Sequence, residues 1–147
     1  MSLRDGLKKM SKSDPSDYSR IMLSDSEEEI IKKIKKAKTD PMPLPDNLED
    51  AKNRPEAINL LTIYAALNDQ ELGTVISEYG GKEFSQFKNN LGELASSKLS
   101  PISVEMNKLM KDEKYLDSVI IKGKERAIKV ADPVLNKIYE IIGFFKG

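Results

Sequence analysis

From residue 55 to residue 142 the apolar side chains recur at intervals of three and four, and no stretch shows an extended β pattern. That periodicity constrains the fold more than any other feature. Pro55 suits a first helical position, ahead of a broad stripe of Ile58, Leu60, Leu61, Ile63, Tyr64 and Leu67. Asn68 is placed to cap a short helix through Leu72, Val75, Ile76 and Tyr79, which Gly80-Gly81 stops. A third pattern runs from Lys82 through Phe84, Phe87, Leu91 and Leu94 and resumes with Ile102, Met106, Leu109 and Met110. Pro101 is expected to kink or divide it. The last pattern begins near Asp112 with Tyr115, Leu116, Val119 and Ile120. It kinks or restarts at Asp132-Pro133 and ends at Gly143 after Val134, Leu135, Ile138, Tyr139, Ile141 and Ile142. The expected fold class is mainly α, a helical bundle.

The first 54 residues read differently. A polar, lysine-rich loop leads into the turn-forming cluster Ser13-Asp14-Pro15-Ser16-Asp17, and Ile21-Met22-Leu23 is compatible with a brief strand. Ser24-Asp25-Ser26-Glu27 fits a capping box. The helix it opens puts Ile30, Ile31 and Ile34 on one face and Lys32, Lys33, Lys35 and Lys36 largely around the other. Acid in Glu27-Glu28-Glu29 complements a helix N-terminus, which explains that cluster without a metal. Pro41, Pro43, Pro45 and Asn47 predict a loop over 39–55; a polyproline docking segment is the alternative to a plain surface excursion.

Composition narrows the chemistry. The 147 residues contain no histidine and no cysteine, which removes imidazole acid–base catalysis, His-based metal sites and disulfides. No apolar run is long enough to cross a bilayer, the N-terminus has no signal-peptide pattern, and a cytoplasmic location is expected. The net charge is zero but uneven. Residues 1–20 hold five basic groups against three acidic ones and residues 121–147 hold six against three, so the middle is acidic. Either end could meet a polyanion, although ordinary scatter of surface charge explains the pattern equally well.

One motif carries chemistry: Lys9-Met10-Ser11-Lys12-Ser13. Two lysines three apart on a serine-rich mobile loop offer rotating charges and hydroxyl donors. Such donors stabilise negative charge building on departing phosphates, and a loop can close and reopen. Two lysines alone would more often be a solvated turn. The five-residue KMSKS match, however, is the signature of class I aminoacyl-tRNA synthetases. Its flanks resemble the tryptophanyl-tRNA synthetases in particular: Lys8 through Pro15, Asp17, Ile21, the helix start at 25–31, and Lys32 through Ala37 with Thr39 and Asp40. The likeness continues in Arg54-Pro55-Glu56, Asn59 through Tyr64, Phe87-Lys88, Gly123 through Ala127 and Ile138 through Phe144.

The resemblance implies that residues 1–20 are the KMSKS loop and end of a Rossmann-type catalytic domain. Residues 21–147 would be a helical C-terminal domain that helps bind the tRNA anticodon arm. It implies Lys12 as the main stabiliser of the ATP phosphates, Lys9 as the supporting cation, and Met10, Ser11 and Ser13 as further ATP contacts. It implies ATP with Mg2+, tryptophan and the tryptophan tRNA as substrates and partners, and a homodimeric parent enzyme; from composition, no metal ligands and no membrane contact are expected of the chain itself. The histidine-containing HIGH motif is absent, so the chain is expected to be an inactive C-terminal fragment that binds no cofactor by itself, with residues 1–14 poorly ordered or packed in a non-native way. A non-catalytic tRNA-binding helical module is the rival reading, and a purely structural helical protein the weaker third. Lys122, Arg126 and Lys129 share one helical face and could meet tRNA phosphates, against an ordinary solvated stripe. Tyr64, Tyr79, Phe84, Phe87, Tyr115 and Tyr139 could stack on bases, but core packing is the expected role.

Overall fold

The structure, a computed structural model, describes residues 1–144; Lys146, one of the basic groups counted above, lies outside them. Among the described residues there are six α-helices, one 3-10 turn (Asp17–Ser19) and no strand, so Ile21-Met22-Leu23 is an irregular segment. Two compact units divide the chain, Met1–Met106 and Asn107–Gly147.

The first unit is built around α1 (Glu27–Lys35), α2 (Leu48–Asn53), α3 (Pro55–Leu67), α4 (Leu72–Tyr79) and most of α5 (Phe84–Lys111). Its core gathers Ile30 and Ile34 of α1, Leu60 and Leu61 of α3, Val75 of α4, and Phe87 and Leu91 of α5, each essentially without exposure. Burial of such side chains contributes about 1.5–3 kcal/mol apiece. Phe87 meets Tyr79 and Tyr64 at centroid distances of 4.9 and 5.5 Å, and the Tyr79 hydroxyl donates to that of Tyr64 at 3.0 Å. These rings are packed, as expected. Burial and the Tyr79 contact together push the Tyr64 phenol well above its ordinary range.

Helix ends follow local chemistry with three departures. The capping box of α1 is Ser26 with Glu29, not Ser24 with Glu27: the Glu29 amide donates to Ser26 Oγ and the Ser26 amide to Glu29 Oε2. Asn68 closes α3 instead of opening α4, whose N-cap is Glu71. The proline-rich loop contains α2, capped by Asn47, whose side chain accepts from the Asp50 amide at 2.8 Å. That loop is clamped by Arg54, which reaches Asp40 at 2.6 and 3.0 Å, Asp50 at 3.4 Å and the Met42 carbonyl at 3.3 Å. Gly80 ends α4, and Gly81, at φ +74°, takes the left-handed conformation that a side chain disfavours. Pro101 lies inside α5 without dividing it, although it lacks an amide to donate and its ring crowds the preceding turn.

The second unit consists of the end of α5 and α6 (Glu113–Ile142). Asp112 caps α6, accepting from the Tyr115 amide at 3.0 Å, and Gly143, at φ +71°, ends it. Pro133 lies within it, so of the two expected outcomes at Asp132-Pro133, a kink or a restart, the restart does not occur. No residue of α6 is buried, and Tyr115 is exposed, so the core role expected of that ring is not met.

Candidate functional site

Residues 9–13 form an exposed loop whose base is closed. The Ser2 amide donates to the Lys8 carbonyl at 2.7 Å and the Leu3 amide to the Ser19 carbonyl at 2.9 Å, which ties together the two stems flanking the loop. Leu3 itself is buried in the core. Asn59 of α3 holds the segment from beneath, donating to the Ser2 carbonyl at 3.0 Å and the Met1 carbonyl at 3.3 Å. The Lys38 amide donates to the Leu3 carbonyl at 2.7 Å. Of the two states expected for residues 1–14, poorly ordered or packed in a non-native way, the first does not hold over residues 1–8, where a buried leucine and paired backbone groups fix the segment.

The loop proper is less encumbered. The Asp14 amide donates to the Ser11 carbonyl at 3.3 Å, closing a turn, and the Ser11 and Ser13 hydroxyls lie 2.8 Å apart. Met10 packs its side chain against the core, while Lys9, Ser11, Lys12 and Ser13 are exposed. Among the described residues neither Lys9 nor Lys12 is in an ion pair. Lys12 stands beside Ile21, Met22, Leu23, Ser24 and Met106 at a cavity of about 280 Å3. Two unpaired ammonium groups on an exposed loop can meet a polyanion without first breaking an ion pair.

Behind the loop lies a charge cluster that periodicity did not reveal. Lys33, expected among the solvated lysines of α1, is buried, with its Nζ 2.7 Å from Asp25 and 2.9 Å from Asp17. Burial pulls its pKa down, but hydrogen bonds to Asp25 and Asp17 outweigh that and raise it. The Lys33 contact in turn lowers the Asp17 carboxyl. The carbonyl end of α1 also has cationic partners: Arg4 donates to the Lys36 carbonyl at 2.9 Å, and Lys88 to the Ala37 carbonyl at 2.6 Å. Desolvation, with the charge of Arg4, lowers the Lys88 ammonium. The nearest sequence signal for these roles was the spacing of the Lys-rich run, which cannot show which lysine turns inward.

Lys122, Arg126 and Lys129 are all exposed on α6, with Arg126 and Lys129 beside Gly123, Ala127 and Val130 in a shallow depression. They belong to the second unit, the KMSKS loop to the first. Among the described residues no group of three or more acidic side chains could hold a metal ion, and no helix is long and apolar enough to cross a membrane.

A helical fold carrying this loop defines a class, and the family model described as tRNA synthetases class I (W and Y) matches residues 1–99. The chain belongs to that family of class I aminoacyl-tRNA synthetases. Within it, the chain is a homologue of tryptophan–tRNA ligases. It is 54% identical to the Tryptophan--tRNA ligase of Rhizobium meliloti and 52% to that of Agrobacterium fabrum, in each case over 99% of this chain and 41% of the relative. The chain thus spans about two fifths of the length of these curated relatives. A crystal structure of tryptophanyl-tRNA synthetase from Mycoplasma pneumoniae shares the fold, with a TM-score of 0.65 at 24% identity over 99% of this chain and 45% of that one.

Proposed function

We propose that this chain is the ATP-handling loop and helical C-terminal part of a tryptophan–tRNA ligase. The whole enzyme activates tryptophan with ATP and passes it to the tryptophan tRNA. In this reading residues 1–20 end a Rossmann-type catalytic domain and the remainder is the tRNA-facing helical domain. The observation that carries it is the pair of exposed, unpaired lysines, Lys9 and Lys12, on a loop anchored at its base.

When the tryptophan carboxylate attacks the α-phosphate, pyrophosphate leaves and charge accumulates on the β and γ oxygens. Lys12 meets that charge most directly and Lys9 supports it. Ser11 and Ser13 offer hydroxyls to the phosphates, and Met10 borders the nucleotide. Because the charge is greatest in the transition state, these donors act on kcat more than on ATP affinity. Mg2+ is assigned to the ATP phosphates, the usual way this ion enters a nucleotide site. Lys122, Arg126 and Lys129 are assigned to tRNA phosphates. The setting is the cytoplasm and the enzyme a homodimer.

Tryptophan-dependent ATP–pyrophosphate exchange tests the reading. The 147-residue chain alone is expected to give none, and the full-length enzyme to give a clear rate that Lys12→Ala lowers by roughly 100- to 1,000-fold. Exchange by the chain alone, or a Lys12→Ala enzyme at the parental rate, would overturn it.

A further inference from the structure

Among the described residues Lys33 is the one lysine that is buried, its side chain 4% exposed. Withdrawing an ammonium from water is costly, and a buried ion pair is often no more stabilising than apolar side chains that replace both of its partners. The same helix buries Ile30 and Ile34 completely, so apolar packing is the local norm. Stability alone is a poor account of Lys33, and the contacts of its partners suggest another.

They form a continuous line. Ser103 Oγ of α5 donates to the Asp25 carbonyl at 3.0 Å. The Asp25 carboxylate accepts from the Met22 amide at 2.8 Å and from Lys33 at 2.7 Å. Lys33 also reaches Asp17 at 2.9 Å, and Asp17 lies 3.2 Å from Arg20. Arg20 donates to the carbonyls of Asp14 at 3.0 Å and Ser16 at 3.3 Å, which form the stem immediately after Ser13. The line thus runs from α5 through α1 to the base of the loop, touching neither Lys9 nor Lys12.

We propose that Lys33 is a positioning residue for the KMSKS loop. From α1 it fixes, through Asp17 and Arg20, the stem that carries Lys12, and so sets where that ammonium stands when phosphates arrive. Through Asp25 and Ser103 the same anchor is referred to α5, so a displacement of that helical turn reaches the loop. This role rests on the ATP-handling reading above. A small misplacement of a catalytic group far outweighs its size in rate.

Lys33→Met, Lys33→Arg and Asp17→Asn test it in two settings. In the full-length enzyme, Lys33→Met is expected to lower kcat for ATP–pyrophosphate exchange by on the order of tenfold or more and to leave KM for tryptophan within about twofold. Lys33→Arg should recover most of the loss. In the 147-residue chain, Lys33→Met should speed hydrogen exchange at the Asp14 and Ser16 amides and leave the Leu60 and Leu61 amides of α3 protected. Asp17 is 63% exposed at its side chain, so Asp17→Asn keeps the core intact and should give a smaller effect of the same kind; it decides the matter should Lys33→Met not fold. Unchanged kcat in both variants, or equal loosening of loop and α3 amides, overturns the role. A wild-type enzyme without exchange activity strikes the functional reading instead, and the amide data still decide whether Lys33 anchors the loop.

Discussion

A Cβ placed on Gly6 would fall 2.3 Å from the Pro55 carbonyl oxygen and 2.7 Å from the Glu56 nitrogen, so Gly6 and Pro55 lie backbone against backbone. The N-terminal segment reaches the first turn of α3 only because position 6 has no side chain. Gly6→Ala is therefore expected to destabilise the chain by about 1–3 kcal/mol or more, since neither backbone can yield cheaply. Urea unfolding measures it; a midpoint equal to the parental one would contradict this packing.

The helix cap of α1 gives a paired test. Ser26→Ala removes the side chain that accepts from the Glu29 amide and should cost about 1 kcal/mol. Ser24→Ala, two residues earlier, should change stability by less than about 0.5 kcal/mol. Thermal melts of the two variants side by side distinguish them, and a reversed order would restore the cap expected from sequence.

Acid sensitivity should centre in part on Asp40. Burial alone would raise its carboxyl, but hydrogen bonds from Arg54 and from the Met42 amide outweigh that and hold it below its ordinary value. A depressed folded-state pKa brings stability that is complete above the unfolded value, about 3.9, and is lost as pH falls through the folded value. Asp40→Asn is accordingly expected to cost about 1–3 kcal/mol at neutral pH. The gap from wild type should narrow below pH of about 4. Urea midpoints across pH measure that gap, and one of constant size would refute the assignment.

For Lys122, Arg126 and Lys129 the expected signature is electrostatic. Replacing all three with alanine in the full-length enzyme should weaken tRNA binding and reduce the magnitude of the salt slope by up to about three. Filter binding across a salt series measures both. An unaltered slope would leave the three as an ordinary solvated face.

Much of this was legible before any coordinates. Pro55, Gly80-Gly81, Asp112 and Gly143 mark helix boundaries because each acts through its own backbone or the next turn. The KMSKS loop was legible because its five residues stand together. What failed depended on partners distant in sequence. Ser24 and Ser26 are equivalent cap candidates until Asp25 is drawn inward by Lys33, eight residues away. Lys33 looked like its solvated neighbours because a run of lysines does not show which one faces two aspartates. The α2 helix is too short to display a period, and its one local sign was Asn47 with Asp50 three residues on.

The Tyr64–Tyr79 pair has an optical consequence. The chain contains no tryptophan and five tyrosines, so its near-ultraviolet emission is tyrosine emission. Two of those five lie 5.1 Å apart with hydroxyls hydrogen-bonded, at the meeting of α3, α4 and α5. When that junction opens, the two phenols separate and each gains water as a partner. Their emission then reports the opening of the first unit without an introduced label.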